Sequence, residues 1–187
     1  MQDEKLRERL DARTSIYNGH VINLEKWDVT LPNSKPAMRE VAIHKGASAI
    51  VPVDDEGYVY LVRQFRTPLQ RVLTEVPAGK LDSVGEDHLV AAKRELHEET
   101  GFTAKKWTHL VDLATTPGFC TETISLYLAE GLTRGETDFD DDEFLDLVRM
   151  PLNEAVRTAL TGGFEDAKTI AALLLAAHAR KGEGAPC

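Results

Sequence analysis

Four β-rich runs occupy residues 20 to 65 before any helical periodicity begins, an order that excludes strict strand–helix alternation along the chain. HVINLEKWDVTL (20–31) stops at Pro32-Asn33-Ser34, and REVAIH (39–44) resumes the extended pattern, which predicts an antiparallel pair. ASAIVPV (47–53), the turn DDEG (54–57) and YVYLVRQF (58–65) predict a hairpin. Helical spacing starts only at Glu86, where Leu89, Ala92 and Leu96 recur three and four apart until Gly101 stops the pattern. TISLYLAEG (123–131) and FLDLVRM (144–150) read as strands around an acidic loop. LNEAVRTAL (152–160) and DAKTIAALLLAAHARK (166–181) read as closing helices, the second capped by Asp166. Strands so intermixed with helices predict an α/β (α+β) chain with a mixed sheet between helices rather than a doubly wound parallel one.

Length supports one main domain with a small appended element, since 187 residues is short for two full domains. A net charge of -9 argues against nucleic acid and anionic membrane as partners, which need clustered Lys and Arg. An anionic substrate would need local arginines or bound cations. The two cysteines, Cys120 and Cys187, form no CxxC pair, which fits a reducing cytoplasmic compartment. The charged N-terminus lacks an apolar signal core, and IAALLLAA (170–177) is too short to span a bilayer, so neither export nor membrane insertion is expected.

On a helix advancing about 100° per residue, Glu95, Glu98 and Glu99 share one face. Such carboxylates repel one another and call for positive charge. Two readings follow: a solvated face neutralised by Lys93, Arg94 and Lys105 or Lys106, or a site for magnesium or manganese, hard cations that take oxygen ligands.

The surrounding run, PAGKLDSVGEDHLVAAKRELHEETGF from Pro77, resembles the Nudix box, G-x5-E-x7-R-E-U-x-E-E-x-G-U, with U a bulky aliphatic or similar residue. Gly79, Glu86, Arg94, Glu95, Leu96, Glu98, Glu99, Gly101 and Phe102 stand at its fixed positions. One departure is the stretch KLDSVG, six residues between Gly79 and Glu86 where the pattern has five. The extra residue lies in the loop before the helix and leaves the spacing on the helix intact.

The resemblance implies a Nudix-like α/β/α sandwich with a mixed central sheet and a small N-terminal antiparallel β region, divided as residues 1–44 and 45–187. It implies a hydrolase that uses divalent cations, Mg2+ or Mn2+, to cleave a nucleoside diphosphate linked to another moiety. Glu95 and Glu99 match the main metal ligands, Glu98 a third carboxylate, and the carbonyl of Ala78 a backbone ligand. Glu86 and Arg94 match a pair that braces the loop against the helix, with Gly79 and Gly101 as structural glycines.

Outside the box, LPNSKPAMREV, LVRQFR, TEVPAGKLD, TPGF, DDDEF and EDAKT look like the branch that hydrolyses ADP-ribose and nucleoside diphosphate sugars. That branch implies a substrate set of Arg63, Arg66, Glu75 and Trp27, a homodimer formed through the N-terminal β region, and a base on a loop. Arg63 and Arg66, three apart on one strand, are equally readable as surface ion pairs, and Trp27 as core or as a stacking surface for a base. In DFDDDEF, which holds five carboxylates, Glu143 before Phe144 matches the base that helps water attack phosphorus; Asp142 comes second, and a merely solvated loop is the bland reading. His97 is expected at the surface. A sensor that binds a nucleotide sugar without turnover would lack motif glutamates, and this chain keeps them. Dinucleoside polyphosphates, oxidised nucleotides and capped RNA remain alternative substrates.

Overall fold

The computed structural model describes residues 3–135 and 144–182. Ten strands and three α-helices run in the order β1 (Arg9–Asn18), β2 (Asn23–Thr30), β3 (Pro36–Ile43), β4 (Ala47–Val53), β5 (Tyr58–Arg66), β6 (Arg71–Glu75), β7 (Ala78–Lys80), α1 (His88–Thr100), β8 (Phe102–Ala114), β9 (Thr123–Arg134), β10 (Asp146–Pro151), α2 (Leu152–Leu160) and α3 (Ala167–Lys181).

Two compact units arise. One comprises the chain through Gly46 together with Ala114–Glu122; the other takes Ala47–Leu113 and everything from Thr123 onward. In the first, β1, β2 and β3 form an antiparallel sheet with Trp27 paired to Arg13 on one side and Arg39 on the other. The segment 114–122 joins it by backbone: Ala42 N–H donates to Phe119 O at 2.7 Å and Thr121 N–H to Ala42 O at 3.0 Å.

The second unit is built on a sheet of order β10-β5-β4-β9-β8, with β6 added to β5 and β7 to β4. β4 runs parallel to β9 and antiparallel to β7, so the sheet is mixed, as the unalternated element order predicts. Every residue of β4 is buried, because both faces of the strand are covered. Val51, Val53, Leu61, Leu126 and Leu128 pack with Leu152, Ala155, Ala172 and Leu173 of α2 and α3. Ile50 and Tyr127 pack the other way, with Ala92 and Leu96 of α1 and Phe102. The result is an α/β/α sandwich. Truncating a core leucine such as Leu173, which is fully buried, should cost roughly 2–5 kcal/mol through lost burial and a cavity.

Several boundaries move from their sequence expectation. The helix begins at His88, not Glu86, because the Asp87 carboxylate caps it by accepting from Leu89 and Val90 N–H at 2.9 and 3.0 Å. β2 begins three residues after His20, since Gly19 N–H closes a turn on Ile22 O. Strands β1, β6, β7 and β8 were not legible at all.

Candidate active site

The cap at Asp87 and the stop at Gly101, whose φ of 71° suits glycine, set the phase of α1. With Ala92 and Leu96 turned into the core, Glu95 and Glu99 come one turn apart onto the face toward β7, and they are only 6% and 4% exposed. Glu99 Oε2 accepts from Ala78 N–H at 3.0 Å. Beside it, a Cβ added at Gly79 would lie 1.9 Å from the Glu95 carboxyl carbon. Only glycine lets the backbone pass this close to a carboxylate. β7 is in turn held by β4, with Ala49 opposite Ala78 and Ser48 opposite Gly79.

Arg94 gathers the remaining charge. Its Nη1 donates to Glu95 Oε1 at 2.7 Å and to Glu98 Oε2 at 3.0 Å, and Nη2 donates to Lys80 O at 3.1 Å. Glu86 Oε1 lies 3.8 Å from Nη2 and Asp82 Oδ2 lies 3.3 Å from Nε, the latter outside hydrogen-bond geometry. Burial alone would lower the guanidinium's pKa, but the surrounding carboxylates, Glu95 first, raise it instead. The lengthened loop closes through Glu86 N–H to Ser83 O and Asp82 N–H to Glu86 Oε2. Val84 projects outward, so the extra residue is absorbed at the loop tip and Glu86 stays within ion-pair reach of Arg94.

Among the described residues no three Asp, Glu, His or Cys side chains stand where they would grip an ion by themselves. The donors are nonetheless of the right kind: Glu95, Glu98 and Glu99 offer hard oxygens, two of them from buried positions, and four carboxylates converge on one guanidinium. Such a set fits a hard divalent cation, whose charge would complement what Arg94 shares out.

A NUDIX domain model matches residues 43–173. The chain belongs to the Nudix family. It is 42% identical over 172 residues to the ADP-ribose pyrophosphatase of Bacillus subtilis (strain 168), covering 91% of this chain and 92% of that protein. It is also 41% identical over 172 residues to the methanol dehydrogenase activator of Bacillus methanolicus, covering 90% and 92%. A crystal structure of an ADP compounds hydrolase superposes with a TM-score of 0.82 at 26% identity, covering 96% and 97%.

The other Nudix candidates divide between the two units. Arg66, at the end of β5, forks onto Glu75 with Nε at 2.7 Å and Nη2 at 2.6 Å, and its side chain remains 38% exposed. Glu75 is 1% exposed and also accepts from Lys168 Nζ, so what it offers a ligand is the orientation of two cations. Burial would raise the Glu75 pKa, but the Arg66 hydrogen bonds and the Lys168 charge hold it below the usual carboxylate range. Lys168 stands in the run EDAKT, and its pairing with Glu75 is not legible in the sequence because the two are 93 residues apart. Arg63 is exposed, 3.8 Å from Asp146.

In the N-terminal unit, Trp27 donates to Glu25 Oε2 at 2.6 Å and carries the Arg13 guanidinium 4.5 Å over its ring. It lines a cleft of about 320 Å³ with Leu10, Arg39, Phe119 and Cys120. Glu143 and Asp142 lie outside the described residues. His97 departs from expectation: it is half-buried, and its Nδ1 has no hydrogen-bond partner among the described residues. Gly135 N–H donates to Gly101 O at 2.7 Å, which carries the chain after β9 over the end of α1 and onto His97.

Proposed function

We propose that this chain is a divalent-metal-dependent hydrolase that cleaves the diphosphate of ADP-ribose or another nucleoside diphosphate sugar, giving a nucleoside monophosphate and a sugar phosphate. The observation that carries the reading is the burial of Glu95 and Glu99, one turn apart, against a backbone that only glycine at position 79 allows. The relative named ADP-ribose pyrophosphatase supports the substrate class.

Glu95, Glu98, Glu99 and the carbonyl of Ala78 would hold the ion, Mg2+ first and Mn2+ as the alternative. A bound divalent ion supplies Lewis acidity, neutralising phosphate oxygens and making water a better acid. Glu143 takes the proton of the attacking water, and Arg66 and Arg63 receive the phosphates or terminal sugar. Arg94 holds Glu95 and Glu98 in place and keeps Glu86 and the loop against the helix. Trp27 stacks the base; the cleft it lines in the N-terminal unit supports that role.

Two further expectations belong to the same reading. β1 is exposed along its whole length and carries Leu10, Ile16 and Tyr17, which supports a homodimer formed through the N-terminal sheet. No helix among the described residues is long and apolar enough to cross a membrane, and cytoplasmic residence is proposed from the cysteine usage.

The test is a panel of ADP-ribose, GDP-mannose, UDP- and ADP-sugars, triphosphates and dinucleotides, assayed by product identity with and without magnesium. Metal-dependent release of a monophosphate and a sugar phosphate is expected. Preference for triphosphates would remove the substrate assignment, and binding without turnover would make the protein a sensor. Within the active enzyme, Glu143→Gln should lower kcat more than it raises KM, and a loss confined to affinity would reassign Glu143 to substrate contact.

A further inference from the structure

The run EDAKT reaches β6 through three consecutive devices. Asp166 caps α3, accepting from Thr169 N–H at 2.9 Å and lying 3.0 Å from Lys168 Nζ. Thr169 Oγ1 accepts from Val76 N–H at 2.9 Å in a buried hydrogen bond. Lys168 Nζ donates to Glu75 Oε2, the same oxygen that Arg66 Nη2 uses. One end of a helix therefore holds the side chain of residue 75 and the backbone of residue 76, just before Pro77, Ala78 and Gly79.

We propose that Lys168 is a positioning residue for substrate binding: by sharing Glu75 it fixes the plane of the carboxylate, and so the direction in which the exposed side of Arg66 faces a diphosphate. The physical reason is a division of charge. With Lys168 present, Glu75 answers to two cations, and Arg66 keeps positive charge to offer an anion. With Lys168 removed, Glu75 neutralises Arg66 alone, and the forked pair loses the contact that fixes its direction from the α3 side. Lys168 is itself only 11% exposed, which suits a residue acting through Arg66 rather than by touching the substrate. The inference rests on the reading of Arg66 as a phosphate contact.

The experiment compares wild type, Lys168→Met, Lys168→Arg, Arg66→Gln and the double variant Arg66→Gln/Lys168→Met, measuring kcat and KM for ADP-ribose at saturating magnesium, with Mn2+ affinity and Tm alongside. Lys168→Met should raise KM roughly tenfold with kcat within about twofold, and leave Mn2+ affinity unchanged. Lys168→Arg should recover most of the loss. The double variant should be no worse in KM than Arg66→Gln, since the two changes act through one contact. If Lys168→Met does not fold, Lys168→Gln removes the same charge while keeping a polar end beside Glu75, and a rise in KM in the same direction is expected. An unchanged KM in the folded Lys168 variant, a loss confined to kcat or Tm, or additive effects in the double variant would each overturn the inference. Arg66→Gln with an unchanged KM would overturn the reading of Arg66 beneath it, and a wild type inactive on every nucleotide sugar would overturn the functional reading itself.

Discussion

The carboxylates of α1 and the carboxylate of Glu75 are both taken out of water, and the molecule treats them differently. Around Arg94 one guanidinium answers to Asp82, Glu86, Glu95 and Glu98. Around Glu75 two cations share the load: the ion pairs are Arg66 and Lys168 with Glu75, and Lys168 with Asp166. A cluster of the second kind is complete within the chain and can serve as scaffold. A cluster of the first kind gathers more carboxylates than its guanidinium can neutralise alone, which suits the divalent cation proposed for it.

The most direct way to break the contrast is Glu99→Gln. The amide keeps the volume and can still accept from Ala78 N–H, but it removes a charge that the proposed ion would need. Turnover should fall by about 10²–10⁴-fold with Tm nearly unchanged, read by steady-state assay beside thermal melting. Unchanged turnover would remove Glu99 from the proposed ligands of the ion. Gly79→Ala comes next. The new methyl collides with the Glu95 carboxylate, which must leave its place. If Glu95 holds the ion as proposed, a drop on the order of 10–100-fold in both activity and Mn2+ affinity is expected, since the carboxylate is displaced rather than removed.

Arg94→Gln sharpens the comparison from the other side. Removing the shared guanidinium should destabilise the protein by about 2 kcal/mol, below the cost of breaking a fully buried pair because Arg94 is partly exposed. Added magnesium should restore a large part of that loss, as an ion that binds only the folded state would. Chemical denaturation with and without magnesium measures it; a loss that magnesium leaves untouched would assign Arg94 to packing alone.

The contrast also explains what the sequence displayed. The α1 cluster is local: Arg94, Glu95, Glu98 and Glu99 lie within one helix that Gly101 ends, so spacing alone places them. Glu75 and Lys168 are 93 residues apart, and only the pairing of β5 with β6 and the cap of α3 bring them together. The sheet between helices was legible from strands buried on both faces, such as β4. β1 was not, because all its residues are exposed and no apolar alternation marks it. β8 mixes lysines with Phe102, Trp107 and Leu110, which blurs its period. Half-buried His97 was missed because a helical wheel shows which way a side chain points and not what later crosses over it.

The smallest effect is a pH dependence carried by Glu75. Burial acting alone would raise its pKa, yet hydrogen bonds from Arg66 and Lys168 and their charges leave it lowered. A carboxylate whose folded pKa is depressed adds stability that is present above its unfolded value, about 4.3, and is lost as pH falls through the folded value. Glu75→Gln should therefore remove part of the decline in stability below about pH 5 and leave the slope near neutrality unchanged. Denaturant midpoints of wild type and variant across pH 3 to 7 would reveal the difference. Parallel curves would mean that Arg66 and Lys168 hold Glu75 by geometry without favouring its charge, and the Glu75 cluster would lose the electrostatic half of its distinction from α1.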